Sequence, residues 1–319
     1  MSSAPGRSAE NFAVARGHAS IRLPRLSAGL AGAVIFAAVA LPCFALLPWS
    51  MTYYDQQNIL EQFEAPSASH GLGTDELGRS LAWRCLAGGA ISLGIGIASA
   101  GMAVVIGVAY GALAGYVGGK VDSAMMRAVD VLYGLPYVLL VVMLNLALQP
   151  AVQAVLRQMV DAEAARQAAG VVTLFLAIGS VSWLTMARVI RGQVLSLRAQ
   201  PFIEAARATG LGPWRIMRVH LLPNLVGPIV VYATLTVPSA ILQESFLSFL
   251  GIGVQPPLPS WGNLAAQGID EMYAIVMMPE VAAWWLLLFP CLLLALTLLA
   301  LNFLGDALRN RLDPRFRKA

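Results

Sequence analysis

Long apolar runs separated by short polar segments set the pattern of this chain. Six of the runs are long enough to cross the ~30 Å hydrocarbon core of a bilayer, which takes roughly 20 helical residues. They lie near residues 28–48, 88–116, 123–148, 170–192, 225–250 and 281–305. The pattern predicts an all-α integral membrane protein with six transmembrane helices, the first of them a retained signal anchor.

The composition of the chain agrees with a membrane protein. Of its 319 residues, 58% are hydrophobic and 12% are charged, whereas a soluble domain carries roughly 25% charged residues to cover its surface. Lipid must therefore face much of the protein. The three cysteines show no CxxC spacing and fit small apolar core positions, so neither a disulfide framework nor a zinc site is expected.

The basic residues predict a topology. With the N-terminus inside, 17 of the 21 Lys and Arg residues flank the cytoplasmic side, and the other side holds only Arg79, Arg84, Arg157 and Arg166. By the positive-inside rule, both termini are then cytoplasmic. The net charge of +4 comes from these flanks, which indicates contact with a lipid bilayer and argues against a nucleic-acid partner.

This topology divides the chain into four parts. Residues 1–27 form a cytoplasmic tail, and 28–87 hold the first transmembrane helix and an external loop expected to pack over the bundle. Residues 88–305 form the main transmembrane domain, and 306–319 are a second cytoplasmic tail. Within the main domain, 149–169 is expected to be a long external loop and 196–224 a cytoplasmic one.

Three glycines recur at every fourth position of the second apolar run, at Gly107, Gly111 and Gly115. This spacing places them on one helical face, where the missing side chains let a neighbouring helix approach closely. The face predicts tight helix packing, although the same glycines could also let the bundle rock.

The polar stretch between the fourth and fifth runs predicts a short helix held outside the membrane. Pro201 suits the first helical turn, where its missing N–H is no loss, and Glu204 places negative charge near the positive helix end. Ala205 and Ala206, beside Phe202, form a face of small side chains, and Gly210 is typical of a helix end. The stretch suits docking of another protein better than catalysis; an ordinary surface loop is the alternative.

Glu204-Ala205-Ala206, Gly210 and Leu222-Pro223 resemble the "EAA" loop of the membrane subunits of ATP-binding-cassette (ABC) importers. More segments match one branch of that family, the smaller, C-type permease of dipeptide, oligopeptide and nickel importers. These segments are residues 73–79, 115–122, 127–130, 244–253, 255–263, 302–309 and 312–315. The resemblance therefore extends over nearly the whole chain.

The resemblance implies a type I ABC importer permease in the bacterial inner membrane, with di- or oligopeptides as the first choice of solute and nickel, glutathione or another small solute as alternatives. The implied partners are a B-type permease, two cytoplasmic ABC ATPases and an extracytoplasmic binding protein. No cofactor is expected on this chain, because ATP and Mg²⁺ would be bound by the ATPases. The residues implied to couple to an ATPase are Phe202, Glu204, Ala205, Ala206, Gly210, Leu222 and Pro223.

Four polar residues are candidates for a translocation path or gate. Asp75 and Arg79 belong to the segment before the second helix, and Gln243 and Glu244 lie within the fifth apolar run. A charge in a membrane span is costly when it faces lipid, so Glu244 is expected either to line a path or to form an internal hydrogen bond. Gln243 could likewise form a hydrogen bond between helices of the bundle. For Asp130, which lies one turn from Arg127, an internal hydrogen bond or ion pair is favoured over a place in the lining of a path.

Motifs for catalysis are missing from the sequence. The Gly119-Lys120 pair is followed by valine and lacks the earlier glycine of a phosphate-binding loop, so ATP must be bound elsewhere. The three histidines are far apart, and Ser92 has no acid–histidine partner in view. An enzyme is therefore not expected. A stand-alone secondary transporter is the second class considered, but the chain shows no convincing internal repeat.

Overall fold

The computed structural model describes residues 25–277 and 283–312, and its secondary structure is helical. The helices, in chain order, are α1 Arg25–Ala45, α2 Leu47–Tyr53, α3 Leu81–Val117, α4 Gly119–Tyr133, α5 Tyr137–Leu156, α6 Ala162–Arg198, α7 Pro201–Ala208, α8 Pro213–Ile216, α9 Leu222–Phe249, α10 Trp261–Met277 and α11 Trp285–Leu312. A π-helical turn, Met217–Leu221, joins α8 to α9.

Six helical stretches of the described residues are long and apolar enough to cross a membrane, as predicted. They are α1, α3, α5, α6, the stretch Pro213–Phe249 and α11. The predicted tails lie mostly at 1–24 and 313–319, outside the described residues.

The third predicted span, 123–148, was placed wrongly. The chain instead forms the separate helix α4 and then, after Gly134, the membrane-length helix α5. Pro136 has an extended ψ of 120° at the N-cap of α5, which fits a residue that cannot continue a preceding helix. Helix α4 contains Lys120, Asp122, Arg127 and Asp130 within 15 residues, so it is too polar to span.

The long loop predicted at 149–169 is also wrong. Helix α5 continues to Leu156 and α6 begins at Ala162, so only five residues connect them. The side chain of Asp161 caps α6 by accepting hydrogen bonds from the backbone N–H groups of Glu163 (3.1 Å) and Ala164 (2.8 Å). The polar residues predicted to form a loop are therefore mostly the ends of two helices. Helix α10 was not predicted at all.

Helices α3 and α6 run parallel and form the most extensive helix pair of the structure. Gly107, Gly111 and Gly115 all face α6: a Cβ atom added at Gly107 would lie 2.5 Å from Met186 Cβ, and one at Gly111 would collide with the Ala187 carbonyl oxygen. The prediction of tight packing on this face is confirmed, and the partner is a helix of the same chain.

The segment between α2 and α3 folds over one end of the bundle, as expected for the loop within 28–87. Trp285 at the start of α11 donates its indole N–H to the Thr74 carbonyl oxygen at 3.1 Å. The hydroxyl of Thr74 accepts from the Glu64 N–H at 2.8 Å, which ties two parts of the segment together. Two of the three cysteines, Cys43 and Cys85, are buried as predicted, whereas Cys291 is exposed.

Candidate functional site

The segment 199–224 runs from the end of α6 into the first turn of α9 and has the local structure that its sequence predicts. Pro201 occupies the first turn of α7, and Gly210 follows the helix with a φ of +76°. The Gly210 N–H donates to the Arg207 carbonyl (2.9 Å) and the Leu211 N–H to the Ala206 carbonyl (3.2 Å). This pair of bonds is the Schellman closure, which requires a left-handed residue and therefore favours glycine.

Helix α7 has an inner and an outer face. Ile203 and Ala206, three positions apart, are buried against the bundle, whereas Phe202, Glu204 and Ala205 are exposed. The predicted outward face of small side chains is therefore wrong for Ala206, which is only 7% exposed. Its small size serves close packing of α7 on the bundle, and Ala205 alone presents a small surface outward.

The second half of the segment exposes a large aromatic side chain that sequence reasoning missed. Trp214 on α8 is 74% exposed, and Phe202 on α7 is 42% exposed. Arg207, Arg215 and Arg218 are exposed on the same segment. The segment therefore offers apolar and cationic surface together, a composition typical of protein interfaces. The signal was in the sequence, because tryptophan is unusual in a polar connection.

The end of the segment passes directly into the membrane-length helix α9. Pro223 has no N–H and its ring would collide with the Val219 carbonyl oxygen in a regular α-helix, and the chain forms the π-helical turn Met217–Leu221 just before it. The Asn224 side chain donates to the His220 carbonyl oxygen at 2.7 Å. Leu222 is half-buried and Pro223 exposed. The segment is thus continuous with α9.

A cavity of about 510 Å³ lies between α5, α6 and α9, at the end of α4. One of the candidate path residues, Gln243, lines it and accepts a hydrogen bond from the Tyr137 hydroxyl. The lining combines aliphatic side chains with uncharged hydrogen-bonding groups. The polar lining residues are Tyr133, Tyr137, Ser182, Thr185, Tyr232, Thr236, Ser239 and Gln243.

Arg188 on α6 connects α4 to α6 at one end of this cavity. Its guanidinium donates to Asp130 at 2.8 Å and stands 4.1 Å from the centre of the Tyr133 ring. The Tyr133 hydroxyl lies 3.3 Å from that of Thr185. The ion pair predicted for Asp130 is present, but its partner is Arg188 instead of Arg127, because α4 lies beside α6.

Glu244, the second candidate on α9, is fully buried and lies outside the lining of this cavity. Its carboxyl group accepts hydrogen bonds from Ser248 (2.8 Å) and Ser245 (3.3 Å), and the hydroxyls of Ser92 and Ser260 also contact it. In this conformation Glu244 joins α3, α9 and the loop before α10. A role in the path stays a prediction for this residue.

The other two candidates, Asp75 and Arg79, lie together in a buried ion cluster. This cluster is at the end of the bundle opposite to segment 199–224. Asp75 Oδ2 accepts from Arg79 Nε at 2.8 Å and from Arg84 Nη1, and Asp75 Oδ1 accepts from the backbone N–H of Arg79 at 2.9 Å. Arg79 also reaches Asp55 at 3.2 Å, and Arg84 reaches Gln267 on α10 at 3.0 Å. We call these five residues the Asp75 cluster.

Arg84, Asp55 and Gln267 are the members of the Asp75 cluster that sequence reasoning missed, and Arg84 is the most deeply buried ion among them. It is 3% exposed at the start of α3, and an arginine is rarely buried unless it is paired. Beside the cluster, Glu271 of α10 has a raised pKa, because burial disfavours its charged form and because the Glu76 carboxyl lies next to it.

Comparison with known proteins gives a consistent result. Residues 107–318 match the family described as "Binding-protein-dependent transport system inner membrane component". The chain is 42% identical to the dipeptide transport system permease protein DppC of Bacillus subtilis over 82% of this chain and 74% of that protein. It is 40% identical to the oligopeptide transport system permease protein OppC of Haemophilus influenzae over 93% and 87%. The OppC of Escherichia coli K12 is 42% identical over 91% and 88%.

Proposed function

Because this chain belongs to the binding-protein-dependent transport system inner membrane component family, we propose that it conducts di- or oligopeptides through an ATP-driven importer. The chain is a multi-pass permease subunit of the inner membrane, with the six apolar helices of a type I ABC permease. It works in a complex with other subunits and is not itself an enzyme.

Two findings support a peptide as the solute. The similar proteins are dipeptide and oligopeptide permeases by name. The cavity beside Gln243 offers hydroxyl and amide groups that can bond peptide N–H and C=O groups without regard to side-chain charge. A nickel ion is less favoured as the solute, because the described lining holds no imidazole, thiolate or carboxylate ligand for it.

The path would run along the wall that contains Tyr137, Tyr232 and Gln243. In the same proposal, the Arg188 contacts to Asp130 and Tyr133 close one end of the path, and the Asp75 cluster lies at the other end, where Asp75 and Arg79 would act as a gate. Glu244 would influence the path indirectly by holding α9 against α3.

The exposed apolar surface of segment 199–224 is the single observation that carries the coupling proposal. Phe202 and Trp214 are exposed on a polar connection, and a partner that covers them would gain their hydrophobic burial. We infer that one cytoplasmic ABC ATPase docks there, with Mg²⁺ and ATP bound by that partner. A second ATPase would dock on a B-type permease, and a binding protein would deliver the solute at the Asp75 end.

Substitutions in the segment test coupling. In the complete importer reconstituted in proteoliposomes, we expect Glu204→Lys and Gly210→Trp to keep ATP hydrolysis but lose most uptake of a radiolabelled tripeptide. Tryptophan at 210 would strain a left-handed residue by roughly 1–2 kcal/mol. Gly212→Ala is the matched control, because Gly212 has a negative φ and open space around it. Normal uptake in both variants would remove the segment from the mechanism.

The proposed orientation places segment 199–224 and both termini in the cytoplasm, according to the distribution of basic residues. A membrane-impermeant thiol reagent applied to intact spheroplasts should label Gln158→Cys, in the connection between α5 and α6, and should leave Arg207→Cys unlabelled. Equal labelling of the two positions would contradict this topology.

The proposed subunit composition follows from the one docking segment found among residues 25–277 and 283–312. We expect complexes purified from native membranes to hold one copy of this permease, one copy of a B-type permease and two ATPase subunits. An active complex whose only membrane subunit is this chain would contradict the hetero-assembly.

A further inference from the structure

A groove of about 700 Å³ opens between α1, α9 and α11, away from the cavity beside Gln243. Leu30, Val237 and Leu304 contribute to its mostly apolar wall, and Asn310 and Arg311 lie at one end of it. Its size falls within the roughly 300–1,000 Å³ of small-molecule sites. Because the three helices belong to membrane-length stretches, the molecules available to fill the groove are those of the bilayer.

Small residues create the groove. A Cβ atom added at Gly29 of α1 would lie 2.5 Å from the Ala307 Cβ of α11, so these two helices almost touch at that level. Gly29, Ala33 and Ala307 all line the groove and leave its floor without large side chains. The close approach of α1 and α11 therefore leaves a depression next to α9.

The charged end of the groove lies on the same side of the bundle as segment 199–224. A Cβ atom added at Gly227, three residues after that segment, would be 3.8 Å from the Leu312 carbonyl oxygen at the end of α11. Arg311 is in the last turn of α11 and lines the groove. A cationic side chain thus lies where the apolar groove meets the polar surface.

We propose that this groove binds an anionic phospholipid, with an acyl chain along the apolar wall and the phosphate at Arg311. Basic pockets between transmembrane helices attract acidic head groups, and an acyl chain matches the aliphatic wall. The bound lipid would bridge α1, α9 and α11 beside the segment where the ATPase docks. This site is independent of the identity of the solute.

Native mass spectrometry of the intact, detergent-purified importer tests the site with phosphatidylglycerol and phosphatidylethanolamine of identical acyl chains. We expect the wild type to retain phosphatidylglycerol preferentially. Arg311→Gln should weaken that binding about fivefold, the equivalent of the roughly 1 kcal/mol that one basic residue adds near an anionic lipid surface. Arg309→Gln, on the same turn but outside the groove, is the matched control and should keep the preference.

A second variant tests the apolar part of the groove. Ala33→Phe should fill the groove and reduce the binding of both lipids. Equal retention of the two lipids by the wild type, or unchanged binding in Arg311→Gln, would overturn the proposal. So would unchanged binding in Ala33→Phe. Loss of the second permease from the Ala33→Phe complex would show that a partner helix, not a lipid, occupies the groove.

Discussion

The two polar ends of the bundle are built in opposite ways. At one end, the Asp75 cluster buries Asp75, Arg79 and Arg84 and bonds them to each other, with Gln267 of α10 as a further partner. At the other end, segment 199–224 leaves Phe202 and Trp214 exposed. The first end satisfies its polar groups within the chain, whereas the second leaves apolar surface open.

This difference indicates where the protein depends on a partner. Charges that are buried and paired hold their own end together, because separating them would leave ions in a medium that solvates them poorly. Exposed aromatic side chains contribute little to the stability of the chain that carries them, but they dominate binding energy once a partner covers them. Substitutions at the two ends should therefore change different measurements.

The largest effect is expected at the Asp75 end. Asp75→Ala would leave Arg79 and Arg84 buried without their shared carboxylate, which should cost about 3–5 kcal/mol of folding free energy. Thermal denaturation in detergent measures the loss. Glu163→Ala is the control, because the Glu163–Arg166 pair is exposed and solvent screens such surface pairs, so its loss should hardly change stability. Equal shifts in the two variants would show that the Asp75 cluster is not a stabilising centre.

The next largest effect is expected at the other end, and on binding instead of stability. Trp214→Ala should leave the melting temperature nearly unchanged but weaken ATPase association by at least about 2 kcal/mol, roughly 30-fold, as for an aromatic hot spot. Val226→Ala is the control, because it shortens a different exposed apolar side chain, on α9 instead of α8. A quantitative pull-down of the ATPase with each variant measures the difference. Unchanged association in Trp214→Ala would remove it from the interface.

A third effect concerns the parallel helices α3 and α6, which connect the two ends. Gly111→Val would force side-chain atoms into the Ala187 backbone, and overpacking of this kind costs about 1–3 kcal/mol. Gly101→Val on the same helix faces open space and should be tolerated. Thermal denaturation of the two variants measures the difference. An equal loss of stability in both would mean that helix propensity, not packing, dominates.

The smallest effect is a pH dependence at the Asp75 end. The pKa of Glu271 is raised in the folded protein by burial and by Glu76. The unfolded chain therefore loses its proton first as pH rises, so stability should fall between the ordinary glutamate pKa of about 4.3 and the raised value. Glu271→Gln should flatten this part of the stability curve and stabilise the protein slightly at neutral pH. A pH–stability curve of Glu271→Gln identical to that of the wild type would contradict the raised pKa of Glu271 beside Glu76.

Features that depend on neighbouring residues could be predicted from the sequence, whereas features that depend on tertiary packing could not. The close packing at Gly107, Gly111 and Gly115 and the helix end at Gly210 followed from spacing and backbone freedom. The third span was misplaced because the apolar pattern alone did not show that Pro136 separates α4 from α5. Arg84 and Arg188 were missed because their partners, Asp75 on a loop and Asp130 on another helix, are brought close only by tertiary packing. The inward turn of Ala206 likewise depends on how α7 docks.

Cysteine cross-linking at two adjacent positions of α7 tests the central claim, that segment 199–224 is the docking surface for an ATPase. Ala205→Cys and Ala206→Cys are compared in a functional variant without Cys43, Cys85 and Cys291, with single cysteines introduced along the ATPase surface. Ala205 is exposed and Ala206 is 7% exposed. We predict ATP-sensitive cross-links to the ATPase from position 205 and little or none from position 206. Absence of cross-links from both positions, in a complex that still transports peptide, would contradict the claim.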